Sequence, residues 1–179
     1  MSRLPLVKRE ALSPEDQTIW DGIQKVRPGM GGPYGILMYA PGLAERVANL
    51  EDYFRFNAAL PAADRELVIL TTAREAEAHF AWSRHETRGL EVGTRKEAIE
   101  AVRAKEDLAG LTPRESLLVE IVRSLLRERA ISDELYNRGM TELGRQQLLE
   151  TITLTGHYSL IGLIINGFAV TPPAGARTF

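Results

Sequence analysis

Apolar residues recur along this chain at helical spacing. Between Pro41 and Leu60, the residues Leu43, Val47, Leu50 and Phe54 fall on one face, with Leu60 off the regular step, and predict a helix over 41–60. Pro61 punctuates it. Residues 62–73 follow with Leu67, Val68, Ile69 and Leu70 in a row, a density expected of a helix buried on most sides. Residues 76–90 form a third helix, closed near Gly93. Short connections between helices with dense apolar faces favour antiparallel packing, so 62–92 should form a central antiparallel pair.

Polar residues mark the other boundaries. Ser13-Pro14-Glu15-Asp16 combines an N-cap, a proline in the first turn and early acids, and opens a helix to about Val26. Thr94 stands three residues before Glu97, and Thr112 three before Glu115. Both pairs read as capping boxes, opening helices over 95–104 and from Pro113 to about Arg129. Ser132-Asp133-Glu134 starts another helix, ending near Gly139. A last long helix runs from about Gly144 to Asn166, with Gly167 at its stop. Sustained period-two alternation and Asn-Gly or Asp-Gly hairpin signals are absent. The expectation is an all-α bundle of seven or eight helices. It forms one domain over 1–179, with a core over about 25–172 and an extended arm over 1–13.

The segment Arg27–Gly35, RPGMGGPYG, interrupts this pattern with four glycines and two prolines, and predicts irregular backbone. It serves either as a plain connector or as a loop that brings backbone N–H groups to a ligand. The most apolar stretch, Leu160 to Val170, approaches membrane-span length with the residues before it. Glu150, His157 and Asn166 break it, so a buried core helix is the expectation.

At 179 residues, 44% of them apolar and 26% charged, the chain has the make-up of an ordinary globular domain. A net charge of -2, without a basic stripe, points away from nucleic acid. The N-terminus has no signal-peptide core, and a cytoplasmic protein with no membrane partner is expected. There is no cysteine, which removes disulfides, thiolate nucleophiles and CxxC redox chemistry.

Chemistry therefore falls to few side chains. The three histidines are His79, His85 and His157. His79 and His85 are six residues apart, roughly 120° out of register on one helix, so they do not pair as metal ligands, and His79 reads as a surface residue. Ala78, Ala81, Trp82, His85 and Gly89 share a stripe that is buried or lines a cavity, with His85 either a bonded core residue or a reactive one. Glu66, ahead of the apolar run 67–70, is either a first-turn acid or ion-pair partner, or a buried carboxylate in need of a partner such as a histidine on the next helix.

Arg65-Glu66-Leu67-Val68-Ile69-Leu70, Ala73-Arg74, Phe80-Ala81-Trp82-Ser83-Arg84-His85 and Gly93, in this order and spacing, resemble the core of the carboxymuconolactone decarboxylase family. The resemblance extends upstream to Gly32-Pro33-Tyr34-Gly35 and Tyr39-Ala40-Pro41, and downstream to Leu117–Leu126, His157-Tyr158 and Asn166-Gly167-Phe168. It implies the helical bundle of the alkylhydroperoxidase D-like superfamily. In the thiol peroxidases of that superfamily a Glu, a CxxC pair and a His occur in sequence. Those positions fall here on Glu66, Ala78, Ala81 and His85, so the thiols are gone and the Glu and His remain. The non-thiol branch often has Tyr-Glu-Trp before its histidine, where this chain has Phe80-Ala81-Trp82.

The resemblance implies a metal-independent lyase without a cofactor, acting on a small carboxylated lactone or a related acid of aromatic-compound catabolism. His85 is the implied general acid and Glu66 its partner. Trp82, Tyr34 and Phe80 are implied as apolar walls, and Arg74, Arg84 or Arg27 as anchors for substrate carboxylates. Glu66, His85 and Trp82 are expected to face one pocket. The alternative is a non-enzymatic ligand-binding or scaffold protein that keeps the fold. Either way the resemblance implies a homo-oligomer, a trimer or a trimer-based hexamer, with the N-terminal arm suited to crossing onto a neighbour.

Overall fold

The computed structural model describes residues 2–28, 30–105 and 108–179, which form nine α-helices and no strand. Helix α4 (Ala62–Glu75) lies at the centre and touches α5 (His79–Glu91), α6 (Lys96–Ala104), α7 (Pro113–Arg127) and α9 (Gly144–Gly167). Its residues Glu66 to Ala73 are all buried, as the dense apolar run requires. Thr71 and Thr72 survive there because their hydroxyls donate to the carbonyls of Leu67 and Val68, both at 2.8 Å.

The chain reverses at Ala76–Ala78. Glu77 takes a positive φ of 51°, and the Ala78 N–H reaches back to the Ala73 carbonyl at 2.8 Å. Helix α9 holds this turn: the Asn166 amide donates to the Ala76 carbonyl at 2.7 Å. Gly162 leaves room for it, since a Cβ there would lie 3.2 Å from the Ala76 methyl. The reversal makes α4 and α5 the expected antiparallel pair and fixes which of their faces meet.

Several boundaries differ from the sequence expectation. Helix α1 (Pro14–Val26) begins on its Ser13 cap, whose hydroxyl accepts from the Asp16 N–H. The glycine-rich segment is not irregular throughout, for Gly32–Leu37 forms the short helix α2, with Pro33 in its first turn. Helix α3 (Pro41–Phe56) stops four residues before Leu60. The Thr94 capping box does not form. Helix α6 starts one residue later, and the Thr94 hydroxyl donates instead to the Ala63 carbonyl of α4 at 3.0 Å. The Thr112 box does form. Helix α8 (Asp133–Glu142) runs through Gly139, which packs against Leu148 rather than ending the helix.

Helix α9 has 24 residues and the length and apolarity to cross a membrane, yet 56% of its most apolar window is packed inside the domain, as befits a core helix. The N-terminal arm, expected to reach a neighbour, lies along its own chain. Arg3 bonds the carbonyls of Phe168 and Gly167, the Val7 N–H bonds Gly35, and the Tyr39 hydroxyl donates to Pro5. The C-terminal residues cross α5 and α6, where Arg177 meets Glu100 and Phe179 reaches Trp82.

Candidate functional site

The turn at 76–78 brings Glu66 of α4 against His85 of α5. The Glu66 carboxylate lies 2.6 Å from His85 Nδ1, and both residues are buried. Burial by itself pushes the Glu66 carboxyl up, but the charge and hydrogen bond of His85, with Arg88 and Arg65 nearby, outweigh it and hold the group below the usual carboxylate range. An ionised Glu66 requires a proton on Nδ1, which leaves Nε2 as the nitrogen that can exchange a proton with a neighbour. That nitrogen faces the Tyr158 hydroxyl of α9 at 3.2 Å. The two rings cross edge to face, their centroids 5.0 Å apart. A carboxylate, an imidazole and a phenol thus stand in line across three helices.

His85 opens on a cavity of about 420 Å³. Its lining mixes the apolar residues Met30, Pro33, Phe80, Ala81, Ile161 and Ile165 with Arg27, Arg55, Arg84, Arg88 and Glu51. Glu51 of α3 is buried and fully engaged. Tyr34 donates to one of its oxygens at 2.6 Å and Arg55 to the other at 2.9 Å. Burial would raise the Glu51 carboxyl, but Arg27, Tyr34 and Arg55 prevail and keep it low. Burial and the Glu51 charge raise the Tyr34 phenol, so it stays protonated as the donor. By contrast, the guanidinium groups of Arg84 and Arg88, one turn apart on α5, make no hydrogen bond or ion pair with any described residue. They place positive charge at the cavity, and that of Arg88 also acts on the Glu66 carboxylate. The site therefore combines an apolar lining, positive charge and a histidine held in one tautomer.

Of the residues singled out in sequence, Tyr34, Phe80, Arg84, His85 and Arg27 line this cavity. Glu66 does not. It faces a second cavity of about 300 Å³. Glu51, Arg55, Arg88 and Tyr158 border both cavities. Trp82 is fully buried elsewhere, its indole N–H donating to Glu86 at 3.0 Å, its face under the Arg103 guanidinium and its edge toward Phe179. One helical step past Ala81 turns it from the cavity toward α6 and the tail. Arg74 is also elsewhere, bonded to Glu77 and the Arg103 carbonyl, with its guanidinium 4.3 Å from the Phe179 ring. His79 stacks on Phe179 from the exposed side of α5.

Glu51, Arg55 and Arg88 went unmarked in sequence, and Tyr158 entered only within the family resemblance, with no role given to it. Glu51 and Arg55 carried a signal, since an acid and a base four apart on a helix form a pair. Tyr158 carried none beyond its place beside His157.

The sequence pattern of the carboxymuconolactone decarboxylase family matches residues 41–124, which span α3 to most of α7 and include both Glu66 and His85. No curated protein matches the chain. Among solved structures, the chain is similar to an uncharacterized peroxidase-related protein with the alkylhydroperoxidase AhpD core from Ralstonia eutropha JMP134. The TM-score is 0.78 at 14% identity, over 97% of this chain and 93% of that one, so the likeness is one of fold.

Proposed function

We propose, from the match of residues 41–124 to the carboxymuconolactone decarboxylase family, that the chain is a lyase that decarboxylates a small carboxylated lactone or a related acid. The observation that carries this reading is His85, held in one tautomer by Glu66, on a half-apolar cavity beside the unpaired guanidinium groups of Arg84 and Arg88. Loss of CO2 breaks a C–C bond and leaves its electron pair on the substrate. An unsaturated lactone accepts that pair, and one proton then forms the new C–H bond. An apolar wall disfavours the leaving carboxylate, a guanidinium anchors a carboxylate that stays, and a histidine supplies the proton. Glu66 fixes the tautomer and the orientation of His85. The setting is an aromatic-catabolic reaction in the cytoplasm, run by this chain's own side chains.

Ala81 favours a second reading, a binding protein that keeps the fold without the reaction. It is a bare methyl on the cavity wall, one turn before His85.

The test is CO2 release from 4-carboxymuconolactone and related carboxylated lactones. His85→Gln is the informative variant, because an amide can still bond Glu66 but cannot shuttle a proton, whereas alanine would strand a buried carboxylate. The expected result is a fall in turnover of about 100-fold or more. Full turnover by H85Q would end the acid role. Tight binding of these acids by a wild type that releases no CO2 would favour the second reading.

A further inference from the structure

Both nitrogens of His85 are taken. Nδ1 faces Glu66 at 2.6 Å and Nε2 faces the Tyr158 hydroxyl at 3.2 Å, so neither points freely into the cavity that the ring borders. The polar atom next in line is the Tyr158 oxygen, and Tyr158 lines that cavity too. It comes from α9, packed against α4 and α5, so its position is set by the same core that sets the pair.

We propose that the Tyr158 hydroxyl, rather than the His85 imidazole, passes the proton to a ligand in the first cavity, with His85 reloading it. The inference rests on the lyase reading and deepens it. As the C–CO2 bond breaks and its electron pair moves through the unsaturated lactone, the O–H bond of Tyr158 breaks and the proton forms the C–H bond. The Nε2–H bond of the His85 imidazolium breaks in the same step and restores the phenol. His85 ends neutral, its remaining proton on Nδ1 and hydrogen-bonded to Glu66, and takes one proton from solvent before the next turn. One proton is consumed and one CO2 leaves, so the step balances. Burial raises the Tyr158 phenol well above its ordinary range, which disfavours a free phenolate and favours two coupled transfers over two separate ones. The second cavity gives Glu66 and Tyr158 a face away from the ligand, a side from which solvent protons can return while the first cavity is filled.

A clamp that merely holds the histidine ring predicts different behaviour. Tyr158→Phe keeps the edge-to-face contact and removes only the hydroxyl. On the relay, kcat falls about 100-fold with little change in KM. The rate in mixtures of H2O and D2O should curve for the wild type, with two protons in flight, and become linear for Y158F. A clamp leaves the shape of that dependence unchanged. A second arm needs no substrate. Diethyl pyrocarbonate attacks a free imidazole nitrogen, so peptide mapping should find His85 labelled at least tenfold faster in Y158F than in the wild type. Unchanged kcat in Y158F, the same curvature in both proteins, or equal labelling of His85 overturns the proposal. If the wild type turns over no carboxylated lactone, the lyase reading falls by itself. The labelling arm then decides alone whether Tyr158 stands between His85 and the cavity.

Discussion

At the scale of single residues, the cavity wall depends on an absent methyl group. Gly32 has a φ of +58°, where other residues are strained, and a Cβ built on it would lie 2.2 Å from the Phe80 ring. Phe80 is itself a cavity wall, so the glycine lets α2 and α5 approach closely enough to close the site. Gly32→Ala should cost about 1–3 kcal/mol from the left-handed strain and the displaced ring together. Urea unfolding would measure it, and a midpoint equal to the wild type would show that the ring can move aside freely. The residue scale is also where reading by sequence divides. Glu66 and His85 were legible because a short reversal between two apolar helices brings them face to face and a family pattern marks both. Tyr158 was not, because nothing local ties it to a histidine 73 positions earlier. Trp82 misled for a plain reason. A helical wheel puts Ala81, Trp82 and His85 on one broad stripe, but the boundary between cavity and core runs through that stripe. Arg103 and Phe179, which give Trp82 its core surroundings, come from distant segments no wheel includes.

At the scale of elements, Glu150 decides how α9 meets the end of α3. In sequence it reads as a charge interrupting an apolar helix. In the fold its carboxylate accepts from the backbone N–H groups of Ala59 and Leu60 at 3.1 and 2.8 Å, from the Tyr53 hydroxyl at 2.8 Å and from the Gln146 amide at 3.0 Å. It therefore satisfies the loop that joins α3 to α4 and fixes where α4 starts, and so where Glu66 sits. Burial raises the Glu150 carboxyl, but these donors outweigh it and hold it below the ordinary range. A carboxyl with a lowered folded pKa stabilises the fold above its unfolded pKa, about 4.3, and that contribution is lost as pH falls through the folded value. Glu150→Ala should thus destabilise the protein by about 3 kcal/mol at pH 7. The deficit should shrink as pH falls below about 4.3, where the unfolded carboxyl takes up its proton, and vanish once the folded carboxyl is protonated too. Denaturant titrations at pH 7 and pH 3.5 would measure both, and an equal deficit at the two pH values would assign the loss to packing rather than to the charge. Periodicity placed the helices because it reports burial directly. It missed α2 because glycine and proline signal a break as readily as a helix start. It gave Thr94 a cap because the pattern of a capping box does not say which neighbour the hydroxyl will find.

At the scale of the whole molecule, α9 has a second face. Its inner side fills the core, while Leu149, Thr153, Gly156, Leu160, Leu163 and Gly167 are exposed in steps of four and three residues, the spacing of a helix–helix seam. Leu163 is 74% exposed and Leu149 62%. The one charged residue between Leu149 and Gly167 is Glu150, which is buried, so this outer face carries no exposed charge. Helix α3 extends the patch with Leu43, Leu50 and Phe56, all exposed, and the Tyr53–Glu150 bond ties the two helices at this edge. Exposed apolar side chains in such number mark an interface. Glycine and threonine between leucines permit close approach of a matching helix, and a second copy supplies the same seam with no charge to bury. Self-association through α3 and α9 is therefore the expected state, and the family resemblance suggests three or six copies. Light scattering at micromolar concentration should return a multiple of the 19.9 kDa chain mass. Replacing Leu160 and Leu163 together by Glu puts like charges on the seam of every copy, and should reduce the mass to that of one chain while circular dichroism keeps its helical signal. The cavity lies on the other side of α9, bordered by Tyr158, Ile161 and Ile165, so ligand binding should survive in that variant unless the assembly itself holds α9 in place. A wild type that scatters as one chain would remove the interface, and would leave the exposed leucines of α9 without the partner that explains them.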